Sequence, residues 1–264
     1  MSDIKTINSI MRASSILRCL SQGKNRLGKI SEDLGLSKST IHRILKTLIA
    51  ASFVVQDPIT SKYYLGPLAL ELSLHPTISH GVLITCAFEE MKSLRDYTRE
   101  TVLLHIRYGL ERLCVEQFES PEYIKYATEK GAAAPLYVGS AGKILLAALN
   151  DDEIQVIFGN INFIPITSHT IIKPEALFEE IYKVRDQGFA VSFGEREVGA
   201  ASVSVLIRNY VSPVALSVLG PDSRLSINRI KGLIDELNES ANRISHNLQF
   251  MMGITGTDER QILN

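Results

Sequence analysis

Apolar residues recur with helical spacing along the first quarter of the chain. Ile10, Leu17 and Leu20 share one stripe of a helix predicted over residues 7–22, with Gly23 closing it. Ile30 and Leu34, four apart, mark a short helix over 28–34. Ile41, Ile44, Leu45 and Leu48 follow i, i+3, i+4, i+7 in a third helix, over 38–51. Gly35-Leu36-Ser37 joins the last two: Gly35 suits a left-handed helix end and Ser37 an N-cap. The period then changes. Phe53-Val54-Val55 and Lys62-Tyr63-Tyr64-Leu65 read as strands around the turn-rich residues 56–61.

Beyond this, Pro67–Leu74 is leucine-rich and helical, interrupted at His75-Pro76, and a further helical stretch reaches about Thr98. Strand signals follow at 101–107 and 112–118, with residues 108–111 as a hairpin turn, and again at 189–193, 200–207 and 214–219. Helical stretches are expected at 141–150, 151–158, 174–187 and 226–250. In the last, Ile227, Ile230, Ile234, Leu237, Ala241, Ile244 and Leu248 alternate three and four apart, which suits either a coiled coil or a long helix covering a sheet. An antiparallel sheet with helices packed on it is an α+β arrangement. The organisation expected is a DNA-binding domain at 1–66, a linker helix at 67–76, a sensor-type domain at 77–253 and a frayed tail at 254–264.

Charge sharpens the division. The formal net charge is −1, yet residues 1–75 hold ten Lys and Arg against five Asp and Glu, a net +5, and the remainder carries −6. Only the basic segment should seek phosphate. Its third helix places Ser39, His42, Arg43 and Lys46 opposite the apolar stripe, a donor-rich face of a size that enters the major groove. Helix, turn, helix and hairpin in this order make a winged helix-turn-helix, against the alternative of a basic face that is merely solvated. Three scattered cysteines (Cys19, Cys86, Cys114) form neither a disulfide framework nor a zinc site, and no metal or cofactor is expected. The first 25 residues lack a secretory pattern, and Pro135, Gly139, Gly142 and Lys143 interrupt the most apolar window; a cytoplasmic protein without membrane attachment is expected.

Pro135-Leu136-Tyr137-Val138-Gly139-Ser140-Ala141-Gly142-Lys143 opens a helix with small residues. That is a seat for a carboxylate at free backbone N–H groups, or simply a site of close helix packing. Spacing rules out a phosphate-binding Walker loop, and Val138 stands where a nucleophile elbow needs Gly. Glu195, Arg196 and Glu197 read equally as an exposed charged turn or as ligand contacts. His105 and His169 are isolated, and no catalytic residue is assigned.

Residues 7–66 resemble the winged helix-turn-helix of the IclR family of bacterial transcriptional regulators, most closely over residues 36–45 and at Tyr63-Tyr64-Leu65-Gly66. Residues 135–149, 188–199 and 216–225 resemble the signature blocks of that family's effector-binding domain, which is GAF-like. The resemblance implies a homodimer or dimer of dimers, a palindromic or pseudo-palindromic double-stranded operator, and a small-molecule effector, expected to be a carboxylate. The DNA contacts it implies are Ser37, Lys38, Ser39, Thr40, His42, Arg43, Lys46 and Lys62. The effector contacts it implies are Ser140 and Ala141 through their amides, with Ser192, Ser202 and Ser217 on facing strands; beside it, Leu136 and Tyr137 are read from their apolar character as the wall of the pocket. Serines replace acids of some relatives, so a site with no fixed acid is expected. The function expected is a ligand-responsive regulator, with repression of catabolic genes as the default. A ligand-independent DNA binder and an enzyme with an accessory DNA-binding domain are the alternatives.

Overall fold

The computed structural model describes residues 7–73 and 80–252, which fall into two compact units at either side of the gap. His75-Pro76, the end of the expected linker helix and the tail at 254–264 lie outside the described residues.

In the first unit, α1 (Asn8–Ser21), α2 (Leu27–Leu34) and α3 (Lys38–Ala50) precede a hairpin of β1 (Val54–Gln56) and β2 (Tyr63–Leu65), then α4 (Pro67–Ser73). Ile16, Leu20, Ile30, Ile41, Leu45 and Leu48 are buried together with Val54 and Tyr63, and Leu17 and Ile44 pack partly buried against them; Ile10, expected on the first stripe, is exposed instead, and Ile16 fills the core from α1. Gly35 ends α2 at φ 63°, a left-handed conformation that costs a residue with a Cβ roughly 1 kcal/mol. That sharp reversal lets α3 begin three residues later across α2.

The second unit is built on a six-stranded antiparallel sheet. Its strands are β3 (Thr101–Tyr108), β4 (Glu111–Phe118), β5 (Ala133–Pro135), β6 (Phe189–Phe193), β7 (Ala200–Ile207) and β8 (Val214–Pro221), in the order β5-β4-β3-β8-β7-β6. Side chains alternate between its faces. Val102, Leu104, Val203, Val205, Leu216 and Val218 pack against α5 (Gly81–Thr98) and α9 (Ile227–Met251). The opposite face meets α6 (Gly139–Ala147), with α7 (Asp151–Asn160) and α8 (Pro174–Gln187) completing a second core. The 3,4 pattern of α9 therefore belongs to a helix that covers a sheet: Ile230, Leu237, Ala241, Ile244 and Leu248 are buried in its core, whereas Ile227 is exposed.

Two local expectations change. Strand β5 was not expected, and α6 begins at Gly139, two residues before the expected start. Gly142 explains why small residues open α6: a Cβ there would stand 2.0 Å from the Leu136 carbonyl oxygen. Among the described residues no helix is long and apolar enough to cross a membrane.

Candidate functional site

The first unit presents α3 as a two-faced helix. Ser37 caps it, accepting the Thr40 N–H at 3.2 Å, and its hydroxyl lies 3.0 Å from Ser39 Oγ and 2.9 Å from Thr40 Oγ1. These three hydroxyls thus secure the helix start. Ile41, Leu45 and Leu48 turn into the core, which leaves Lys38, His42, Arg43 and Lys46 exposed on the other side. Neither Arg43 nor Lys46 forms an ion pair among the described residues. In the hairpin loop Asp57 accepts from the N–H groups of Ile59 (2.8 Å) and Thr60 (3.2 Å) and from the Thr60 hydroxyl (2.6 Å). Those bonds hold its carboxyl below the usual range, the hydroxyl contributing most. Lys62 enters β2 half-buried, beside this ordered tip.

The second unit carries a cavity of about 60 Å³ between the sheet and α6. A single water needs roughly 10–15 Å³ by the same measure, so an occupant has only a few non-hydrogen atoms. Alternation on the strands supplies its floor. Ser192 pairs with Ser202 across β6 and β7, and Ser204 with Ser217 across β7 and β8, so all four point to α6. Ser140, in the first turn of α6, lies 2.7 Å from both Ser202 Oγ and Ser204 Oγ, and Ser204 lies 2.7 Å from Ser217 Oγ. A continuous chain of hydroxyls results. Ser140, Ala141, Ser192, Ser202 and Ser217 line the cavity. Ser204, unassigned from sequence, sits at the centre of the chain beneath it.

Charge at this cavity departs from expectation in two ways. First, the site does hold a fixed acid. Glu195 is buried, accepts the Gly139 N–H at 2.9 Å with one oxygen, and pairs through the other with Lys143 Nζ at 2.6 Å. A carboxylate of the chain itself therefore occupies the positive end of α6. The turn reading holds for its neighbours alone: Arg196 and Glu197 are exposed at the rim. Second, Leu136 and Tyr137 do not form the apolar wall. Both are buried in the second core, because the Leu136 backbone packs against Gly142 and the Tyr137 hydroxyl donates to the Ile164 carbonyl at 2.9 Å.

The remaining wall includes His105 of β3 and Arg112 of β4, both buried. Arg112 donates through Nη1 to the carbonyl oxygens of Pro135, at 3.0 Å, and Val138. Its Nε–H and His105 Nδ1 find no hydrogen-bond partner among the described residues. Burial, with Arg112 and then Arg196 nearby, pushes His105 well below its ordinary value, so the ring is neutral. Burial and the charge of Arg196 push Arg112 down to about 10, with Glu195 opposing.

Both halves of this architecture match one family. The IclR helix-turn-helix domain matches residues 9–58. The C-terminal domain of the bacterial transcriptional regulator IclR matches residues 75–246, more than half of the chain. The chain belongs to the IclR family of bacterial transcriptional regulators. IclR-family relatives extend over nearly its whole length. It is 28% identical over 243 residues to the transcriptional regulator KdgR of Escherichia coli K12, covering 91% of this chain and 92% of that protein. It is 29% identical over 245 residues to the transcriptional repressor AllR of the same strain, covering 91% and 90%. A crystal structure of an IclR-family protein from Rhodococcus sp. superposes with a TM-score of 0.69 at 26% identity, covering 93% and 96%. These relatives are DNA-binding transcriptional regulators rather than enzymes. Helix α3 lies within the residues that the family's helix-turn-helix domain matches.

Proposed function

We propose that this IclR-family protein is a repressor whose grip on its operator responds to a small organic acid held in the cavity under α6. The observation that carries this reading is the cavity's polar construction: a chain of serine hydroxyls and buried charge on a sheet face that is otherwise packed with apolar side chains. These hydroxyls bond one another, and those at the cavity wall can instead turn their O–H groups to the oxygens of a bound acid. AllR is a repressor, which supports repression as the sign. The genes controlled would encode enzymes that consume the acid, in the cytoplasm.

On the DNA side, Lys38, His42, Arg43 and Lys46 contact the major groove, Ser37, Ser39 and Thr40 present the helix start to phosphate, and Lys62 of the hairpin reaches the adjacent backbone. The protein works as a homodimer or dimer of dimers on a two-fold-symmetric operator. A ligand changes DNA affinity only if it binds the two conformations unequally. The test is a mobility shift of the full-length protein on its operator with and without small organic acids. Release of DNA by one acid is expected. Affinity unmoved by every acid of this size would leave a DNA binder whose second unit only assembles the oligomer.

A further inference from the structure

The charges buried around the cavity do not balance. Lys143 and Glu195 neutralise one another, and both oxygens of Glu195 are already taken, by Lys143 Nζ and by the Gly139 N–H. His105 is neutral. That leaves Arg112, only 5% exposed, with no acidic partner among the described residues and its charge delocalised over a group whose Nε–H is unbonded. An uncompensated buried cation is costly, so a counter-charge brought to it by a ligand would be favourable. Register places the second orphan beside it: His105 pairs with Cys114, and Arg112 lies two residues before Cys114 on the same face of β4. Thus two buried side chains, each with a nitrogen that has no hydrogen-bond partner among the described residues, line one small cavity.

We propose that Arg112, with His105 beside it, is the anchor for a single negative charge in this cavity, which selects monoanionic acids of a few non-hydrogen atoms. The proposal rests on the reading of the cavity as the effector site and adds to it the residue that reads the charge. Glu195 explains why the anchor is needed: the Gly139 amide, the first donor of α6, is spoken for by the chain's own carboxylate. The guanidinium is planar and keeps its charge even when desolvated, so it can hold a carboxylate where an amine would be neutralised. The serine chain then meets the acid's remaining oxygens. A dianion would bring one charge more than the single buried cation can offset, since the rim charges of Arg196 and Glu197 are opposite.

The test is thermal unfolding of the full-length protein at pH 7.5 and fixed ionic strength. Sodium formate, acetate, glycolate and glyoxylate are compared with the neutral amides formamide, acetamide and glycolamide. At about a hundred times its dissociation constant, an acid should raise the Tm of the second unit by about 5–10 °C. At least one acid is expected to do so, its amide is not, and Arg112→Met and Arg112→Lys should each lose at least ten-fold in affinity for it. Equal response to acid and amide in the parent, or no response to any acid, overturns the proposal without reference to any variant. An acid shift lost in Ser202→Ala or Ser217→Ala but kept in both Arg112 variants also overturns it, while leaving the effector reading of the cavity standing. DNA binding by α3 is measured separately and is untouched by either outcome.

Discussion

Lys143 Nζ stands 2.6 Å from Glu195 Oε1, and the two side chains are 3% and 7% exposed. The pair ties the first turns of α6 to the loop after β6, and so fixes one wall of the cavity. Removing one member of a buried pair strands the other charge, at a cost of about 3–5 kcal/mol. Lys143→Met and Glu195→Gln should each lower the urea midpoint of the second unit by a corresponding amount, and the double variant should lose less than the sum. Strict additivity in that cycle would show that the pair is not coupled.

Gly142→Ala is expected to be among the most damaging single-methyl changes in the second unit. The added Cβ meets the Leu136 carbonyl oxygen at 2.0 Å, which is backbone and cannot rotate away. The cost should exceed about 3 kcal/mol, the upper end for overpacking that side chains can absorb. Chemical denaturation followed by far-UV dichroism measures it. A loss under about 1 kcal/mol, the lower end of that range, would mean that α6 moves freely off residue 136.

Ser37→Ala removes the cap of α3 and should cost about 1 kcal/mol in the first unit. The Thr40 N–H, at 3.2 Å from Ser37 Oγ, loses its acceptor. Because this is a fraying effect, DNA affinity should fall less than ten-fold. Hydrogen exchange at residues 38–41 reports the cap directly, and unchanged exchange there would exclude it.

The neutral His105 gives the second unit a pH dependence of definite sign. Its folded value lies well below 6.5, the ordinary value to which the unfolded chain reverts. As pH falls through about 6.5 the unfolded state takes up a proton that the folded state refuses, so stability declines by up to about 1.4 kcal/mol per pH unit. That stability is fully present above pH 6.5 and lost below it. The groups at the cavity that bear on the ring are Arg112 and Arg196, which deepen the effect, and Glu195, committed to Lys143. His80, depressed by burial, acts in the same direction. Urea midpoints at pH 7.5 and 5.0 should converge in His105→Gln relative to the parent; equal slopes in both proteins would remove His105 as a cause.

The legible parts of the chain were those where burial is one-sided. Helix α3 declares itself because Ile41, Leu45 and Leu48 are buried and His42, Arg43 and Lys46 are not. Helix α6 hides its start because Gly139 through Leu146 are all buried, leaving no polar stripe to set a phase. Strand β5 is three residues ending in Pro135, too short for a period. The serines of β6, β7 and β8 were found through their place in the family blocks, but Ser204 needed the pairing register with Ser217. Glu195 reads as a surface charge in any local window, since the Lys143 that buries it lies 52 residues earlier. Arg112 escaped for the same reason: an arginine alternating with Leu113 reads as an outward position until a helix is known to cover that face.

The central claim is that the exposed face of α3 reads DNA in a two-fold-symmetric protein, and selection from a randomised duplex pool tests it whatever the operator sequence is. The full-length protein and the Arg43→Ala and Lys46→Ala variants are each carried through repeated rounds at about 0.15 M salt. Enrichment of one palindromic or pseudo-palindromic sequence by the parent is expected, with loss of enrichment in both variants. Lys62→Ala, which removes a contact to the DNA backbone, should instead keep the sequence preference and lower the salt slope by about one. A parent that enriches nothing, or Arg43→Ala and Lys46→Ala variants that enrich the same sequence equally well, would contradict the assignment of α3 as the recognition helix.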